Sequence, residues 1–198
     1  ITTDDDQPGA DRAAGQIARF LWDRREQLEA KLVSLETAIS TANNTDGLTV
    51  FSDAADATAS GASGDSNAIL AGLIGQSADV SSSFSGTALL SVVDAPAAQI
   101  AAEAGVGDSV DVPLGGTRDP GRFDPLPVTA EVLSIHDGHF TYESGKPETA
   151  GTTAVLRIAT DNGHVDALVT ERSVYVVGRA VFTAHGLDPT DYDVVVAK

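Results

Sequence analysis

Ile17, Leu21, Leu28, Leu32, Leu35 and Ile39 recur at spacings of three, four and seven. That periodicity predicts one long amphipathic helix over residues 9–42, with Pro8 suited to its first turn. Trp22 lies beside the apolar stripe, either in the core or at an interface, and Arg24, Arg25, Glu26, Glu29 and Lys31 fall on the polar face. Asn43-Asn44-Thr45-Asp46-Gly47 stops the helix. A short apolar run, residues 48–51, reads as a buried strand. Ala68, Ile69, Leu70, Leu73 and Ile74 read as one face of a helix over 66–76, followed by a polar connector over 77–86. Residues 87–93 are nearly all apolar and predict a strand covered on both faces. Asp94, Pro96 and the alanines up to Ala104 predict a second helix, stopped by Gly105. Strand, helix, strand, helix is the order of a small parallel sheet with crossovers.

The pattern then changes. Residues 109–114 alternate like a half-buried strand, and 115–127 are rich in Gly, Pro and charge, which predicts a loop and a lobe boundary. Residues 128–135 and 140–143 flank Asp137-Gly138, and 152–160 and 164–170 flank Asn162-Gly163, both hairpin signals. A strand over 173–177, a short helix over 180–185 and a closing strand over 191–197 complete the chain. The expected fold is mixed α/β: a long N-terminal helix, a small parallel βαβα part with a Gly-rich loop after its first strand, then a mainly antiparallel β lobe. There is no internal repeat.

The chain is organised around residues 50–67. They start in a strand, cross small residues with Gly61 and Gly64, and end at Asp65-Ser66-Asn67, all residues that cap helices. A strand, a Gly-rich loop and a helix start are the parts of an anion- or substrate-binding loop, because the first helical N–H groups are unpaired and carry partial positive charge. The functional reading is a substrate loop at the carboxyl end of a strand. The bland reading is a turn in which Asp65 or Ser66 caps the helix and the glycines supply unusual backbone angles. No Lys follows Gly64, so this is no P-loop, and the leading glycine of the dinucleotide fingerprint is missing.

Charge narrows the partners. The formal net charge of −17 argues against nucleic acid and anionic membrane. No apolar run approaches the ~20 residues of a membrane span, and the acidic start does not fit a secretory leader. The expected compartment is the cytoplasm. The chain has neither Cys nor Met. Thiolate sites and disulfides are excluded, and a processed product or a part of a longer protein is expected.

Candidate chemistry is sparse. His136 and His139 flank the Asp137-Gly138 turn and, as cross-strand neighbours, could hold a metal with Asp137; a plain turn explains them as well. His164 and His185 read as structural. Asp53, Asp56 and Asp65 could bind Mg or Ca, but not with EF-hand spacing; Asp53 and Asp56 could instead accept backbone N–H bonds and hold the loop. Ser60, Ser63 and Ser66 lack a nucleophile elbow. Gly115-Gly116 with Arg118 fits either an anion contact or a turn.

Several short pieces occur in a fixed order: Asp53-Ala54-Ala55-Asp56, Gly61-x-x-Gly64-Asp65-Ser66, Ala104-Gly105-Val106-Gly107, Leu114-Gly115-Gly116, Gly151-x-Thr153-Ala154-Val155-Leu156-Arg157, Val169-Thr170, Gly186-Leu187-Asp188-Pro189 and Val194-Val195-Val196-Ala197-Lys198. Together they make residues 10–198 resemble the C-terminal domain of the microcystinase C (MlrC)-like metallopeptidases. The resemblance implies zinc-dependent hydrolysis of peptides, with the metal ligands mainly on a preceding N-terminal domain. It makes residues 1–9 a linker from that missing domain and 10–198 the C-terminal domain, with sub-parts 10–107 and 108–198. No catalytic or metal-ligating residue is then expected in this chain, and zinc belongs to the full-length protein. The substrate-binding candidates are Asp53, Asp56, Ser60, Gly61, Gly64, Asp65 and Ser66. Many relatives carry an Asn-Pro-Gly-Gly-Gly type run after the second Asp, where this chain has Ala57-Thr58-Ala59-Ser60-Gly61. Relatives also continue past the position of Lys198.

The leading expectation is a cleft-forming domain of a zinc peptide or amide hydrolase, inactive by itself. Its partners would be the missing domain and a peptide-like substrate. The alternatives are a structural or homodimerising module built on the long helix, and a free-standing anion-binding domain.

Overall fold

The computed structural model describes residues 1–81, 84–118 and 120–198. Residues 82 and 83 of the polar connector, and residue 119 of the Gly- and Pro-rich loop, lie outside them. The chain divides into two compact units, Ile1–Val33 and Ser34–Lys198. In the first, α1 (Gln7–Trp22) is capped by Asp6, whose carboxylate accepts from Gly9 N at 2.9 Å, and α2 (Arg25–Leu28) adds one turn. Ile17, Phe20, Leu21, Trp22 and Leu28 stay exposed there.

The single helix expected over 9–42 is three helices. Glu29 turns the backbone extended, and Ser34 opens α3 (Leu35–Asn43) by accepting from Thr37 N. A Ser cap suits a chain that enters the helix from extended angles, as Ser34 does. Apolar spacing alone does not register it. Ile39 is fully buried in the second unit, and Leu35 packs beside it.

The second unit is built on one seven-stranded sheet of order β1-β9-β2-β8-β7-β4-β3. Its strands are β1 (Thr49–Ser52), β2 (Gly86–Val93), β3 (Ser109–Leu114), β4 (Leu126–His136), β7 (Thr153–Thr160), β8 (Gly163–Thr170) and β9 (Val194–Ala197). β1, β9, β2 and β8 pair in parallel, while β8, β7, β4 and β3 pair antiparallel. The parallel part and the antiparallel part therefore share one sheet, with β9 returning to lie between β1 and β2. α4 (Ala68–Leu73) and α5 (Ala95–Ala104) follow β1 and β2. Ala97, Ala98 and Ala101 of α5 are buried in the main core with Val112, Leu114, Leu156, Ala167 and Val169. A second core gathers Leu89, Val155, Leu168, Phe182 and Val195. Leu168 lies between Ala167 and Val169, so the strand alternation sends it to the opposite face of the sheet. No helix among the described residues is long and apolar enough to cross a membrane.

Two expectations from the second half of the chain are corrected. Asp137-Gly138 does not join a hairpin between β4 and the strand after it. β5 (His139–Thr141) pairs instead with β6 (Pro147–Thr149) in a separate two-stranded sheet, turned at Ser144-Gly145. Gly138 O accepts from Ala150 N at 2.9 Å, and a Cβ on Gly138 would meet Gly151 O, so this bend packs on backbone and leaves β4 free to pair with β7. The strand expected over 173–177 is irregular, although Val174 and Val176 are buried. The Asn162-Gly163 hairpin forms as expected between β7 and β8.

Among the described strand residues, one carboxylate is buried inside the sheet. Asp166 is fully buried and takes Arg157 Nε at 2.8 Å and Nη2 at 2.7 Å from the opposite strand, and Tyr192 Oη donates to it at 2.7 Å. Burial first, then the bond to Asp166, pushes the Tyr192 phenol pKa far upward. Arg157→Ala is expected to lower unfolding free energy by about 3 kcal/mol, since it strands a buried carboxylate. Tyr192→Phe should cost about 1 kcal/mol. Urea unfolding of both variants checks the order; equal losses contradict it.

Candidate functional site

β1, β2 and β9 run parallel, so Ser52, Val93 and Ala197 finish at the same, carboxyl-terminal end of the sheet. The residues that follow them, Asp53, Asp94 and Lys198, meet the loop 53–67 there. Asp53 starts the loop: its N–H donates to Ala197 O at 2.9 Å, and its Oδ1 accepts from Ala55 N and Asp56 N. A single 3-10 turn, Thr58–Ser60, follows, and Thr58 Oγ1 donates to Val174 O at 2.7 Å.

Asp56 anchors the loop from inside. It is 1% exposed, and Oδ1 accepts from Gly64 N at 2.8 Å while Oδ2 accepts from Ser66 N at 2.9 Å. Lys198 Nζ, on a side chain nearly as enclosed, donates to Oδ2 at 2.9 Å and lies 3.4 Å from the carbonyls of Gly64 and Ser66. A buried ion pair survives desolvation only when its remaining donors and acceptors are met, as they are here. Gly64 is required by this packing. Its φ is +80°, and a Cβ would stand 2.6 Å from Val93 Cγ2.

A second layer closes against the loop. Asp65 is fully buried; its Oδ2 accepts from Arg118 N at 2.7 Å and its carbonyl from Gly116 N at 2.9 Å. Asn67 Nδ2 donates to Leu114 O and Asp124 O. Asp94 caps α5 through Ala97 N and takes Gly115 N at 2.8 Å. Desolvation raises the Asp94 pKa, its two backbone bonds work against that, and the nearby Asp65 charge adds to the rise. Arg118 Nη1 donates to Ser63 O and Arg122 Nη2 to Ala55 O, so two guanidinium groups lie on the exposed rim of the loop.

Residues 51–198, from β1 to the last residue, match the family described as the MlrC C-terminus. The chain belongs to this family. The crystal structure of a protein from Mesorhizobium sp. BNC1, named "putative metallopeptidase", is similar to this MlrC C-terminal chain, with a TM-score of 0.75 and 26% identity. The likeness covers 92% of this chain and 35% of the Mesorhizobium chain, so the present sequence spans about a third of that protein. No curated protein matches.

The candidate residues of this MlrC C-terminal chain fall into two groups. Asp56, Gly64, Asp65 and Ser66 are buried and hydrogen-bonded, Asp65 to the segment at Gly116 and Arg118 and the others within the loop, while Asp53 is half-buried and Ser60 and Gly61 are exposed at the apex. The helix start is not capped as expected. Asn67 holds the cap position without a side-chain cap bond, and Ser66 Oγ lies 3.4 Å from Ala68 N. The N–H groups of Gly64 and Ser66, which an external anion would take, already hold Asp56. Lys198 is the residue that spacing arguments miss. Its signals are its place at the end of the piece Val194-Val195-Val196-Ala197-Lys198 and a lysine directly after an apolar strand in a chain with three lysines, and neither names its partner.

The described residues do not fit a metal. No group of three or more His, Asp or Glu side chains converges among the described residues. Both oxygens of Asp56 and of Asp94 are spent on N–H donors. His136 and His139 are not cross-strand neighbours: His139 pairs with Asp137 on the surface, while His136 packs edge-on against His185 at 5.0 Å. His185 is buried, with Nδ1 bonded to Val181 O and Nε2 without a partner among the described residues.

Lys198→Met is expected to lower unfolding free energy by about 3–5 kcal/mol, because Asp56 would stay buried without its cation. Denaturant unfolding reads it directly, and a loss under ~1 kcal/mol contradicts the pairing. Burial above all lowers the His185 pKa, with His136 adding to the fall and the Val181 carbonyl opposing it. Neutral His185 then contributes fully above the ordinary value of about 6.5, and that contribution is lost as pH falls below it toward the lowered value. His185→Phe should flatten the stability change between about pH 7 and pH 5; an unchanged slope would assign it to other groups.

Proposed function

We propose that residues 10–198 are the cleft-forming C-terminal domain of a zinc-dependent peptide or amide hydrolase, with residues 1–9 as the linker to it. The metal would be held by polypeptide outside this sequence. The observation that carries this reading is the MlrC C-terminus match over 51–198, joined to the likeness with the Mesorhizobium protein. The loop apex at Ser60 and Gly61, flanked by Arg118 and Arg122, is the part of 53–67 left to meet a substrate. Its buried half serves to fix that apex. Rigid placement of a substrate can account for several kcal/mol of a barrier, up to roughly 7–11 in the best cases.

Gly61 tests the reading. Its φ is +89° with nothing where a Cβ would go, so Gly61→Gln meets no neighbour but strains the left-handed backbone of the apex, at a cost of about 1–2 kcal/mol. In the full-length enzyme it should lower kcat/KM at least about tenfold, or about 1.4 kcal/mol, with metal content nearly unchanged and unfolding free energy lowered by no more than the ~1–2 kcal/mol of that backbone strain. Turnover and KM equal to those of the parent enzyme remove the loop from the mechanism.

The exposed apolar residues of α1 favour a second reading, in which a second copy of the chain pairs through that helix. Sedimentation of the 198-residue chain decides it: a strict monomer at high concentration excludes this role.

A further inference from the structure

β1 is the edge strand of the seven-stranded sheet. Thr49 N donates to Asp193 O and Asp53 N to Ala197 O, so the odd-numbered residues of β1 bond to β9. In a parallel ladder alternate residues face the neighbour, which turns the N–H and C=O of Val50 and Ser52 off the sheet edge. That edge is open, with Val50 59% exposed. It also lacks the devices that blunt edges. Thr49-Val50-Phe51-Ser52 carries no proline and no charge, whereas the opposite edge strand, β3, carries Pro113 and the exposed Asp111.

Beside the open edge lies a groove of about 190 Å³, lined mainly by Leu48, Val50, Val176, Val177, Phe182 and Val195, with Arg179 also on its lining and neutralised by Asp188 at 3.0 Å. It is smaller than the ~300 Å³ at which sites for drug-sized ligands begin, and suits one large side chain. We propose that this edge docks an extended peptide, which adds as a further strand along β1 and sets one aliphatic or aromatic side chain into the groove. Unpaired strand edges select an extended backbone, and an adjacent pocket selects a side chain. The net charge of −17 opposes pairing with a second copy and favours a neutral or cationic peptide. The choice of a peptide rests on the peptidase-related reading above. β1 leads directly into the loop at Asp53, so a peptide on this edge would run toward that loop.

The test is fluorescence anisotropy of the 198-residue chain with a labelled, capped peptide, Lys-Thr-Val-Leu-Val-Thr-Lys, and its analogue N-methylated at alternate amides. Saturable binding is expected, at least about tenfold weaker for the methylated analogue. Val50→Pro removes an N–H that β9 does not use, and Val177→Asp puts charge into the groove from an exposed position; each should weaken binding to the same degree. Circular dichroism melts establish that both variants fold. No binding, or equal binding of the methylated peptide, overturns the proposal. So does self-association that Val50→Pro abolishes, which would make a second copy the occupant. Failure here leaves the Gly61 test of the loop standing, and the converse holds.

Discussion

The candidate site depends on one buried ion pair. Asp56 and Lys198 lie 142 residues apart in sequence and meet at 2.9 Å with almost no exposure. The pair ties the residue after β9 to the loop after β1, two strands that are already neighbours in the sheet. Two backbone N–H groups complete the shell around Asp56, so the loop cannot change shape without stranding a charge. The small residues around the pair follow from this. Gly64 must bring its backbone against Val93, and a side chain there would force the carboxylate away from its donors.

This arrangement changes what the Gly-rich loop can do. Its pattern resembles an anion cradle, and the cradle is occupied from within by Asp56. The exposed parts of the loop are Ala54, Ala55 and the stretch Ala59-Ser60-Gly61, with the side chains of Arg118 and Arg122 on its rim. The buried layer of Asp65, Asn67 and Asp94 joins that rim to α5 and to the loop after β3. Among the described residues the chain supplies a tightly bonded loop and no group of three or more metal-ligating side chains.

Much of this is legible in the sequence, and the gaps have physical causes. Local signals suffice for the apolar run of β2, the Asp94 and Pro96 start of α5, and the Asn162-Gly163 turn, because each acts within a few residues. The single long helix does not form because periodicity describes a face and not a bend, and Ser34 caps a new helix in mid-stripe. The Asp137-Gly138 hairpin does not form because β4 pairs with β7, a competition that local turn chemistry cannot see. The place of β9 between β1 and β2, and with it the role of Lys198, is a long-range pairing. The order of the family's short pieces points to the right domain, while the partners of each carboxylate emerge only from the fold.

The most direct measurement is a crystal structure of a full-length protein carrying this domain, with a peptide product bound. The product should lie within about 4 Å of the loop apex at Ser60 and Gly61, with the Asp56–Lys198 pair intact beneath it. A product bound far from residues 53–67, with that loop facing solvent or packed against another domain away from the cleft, would contradict it.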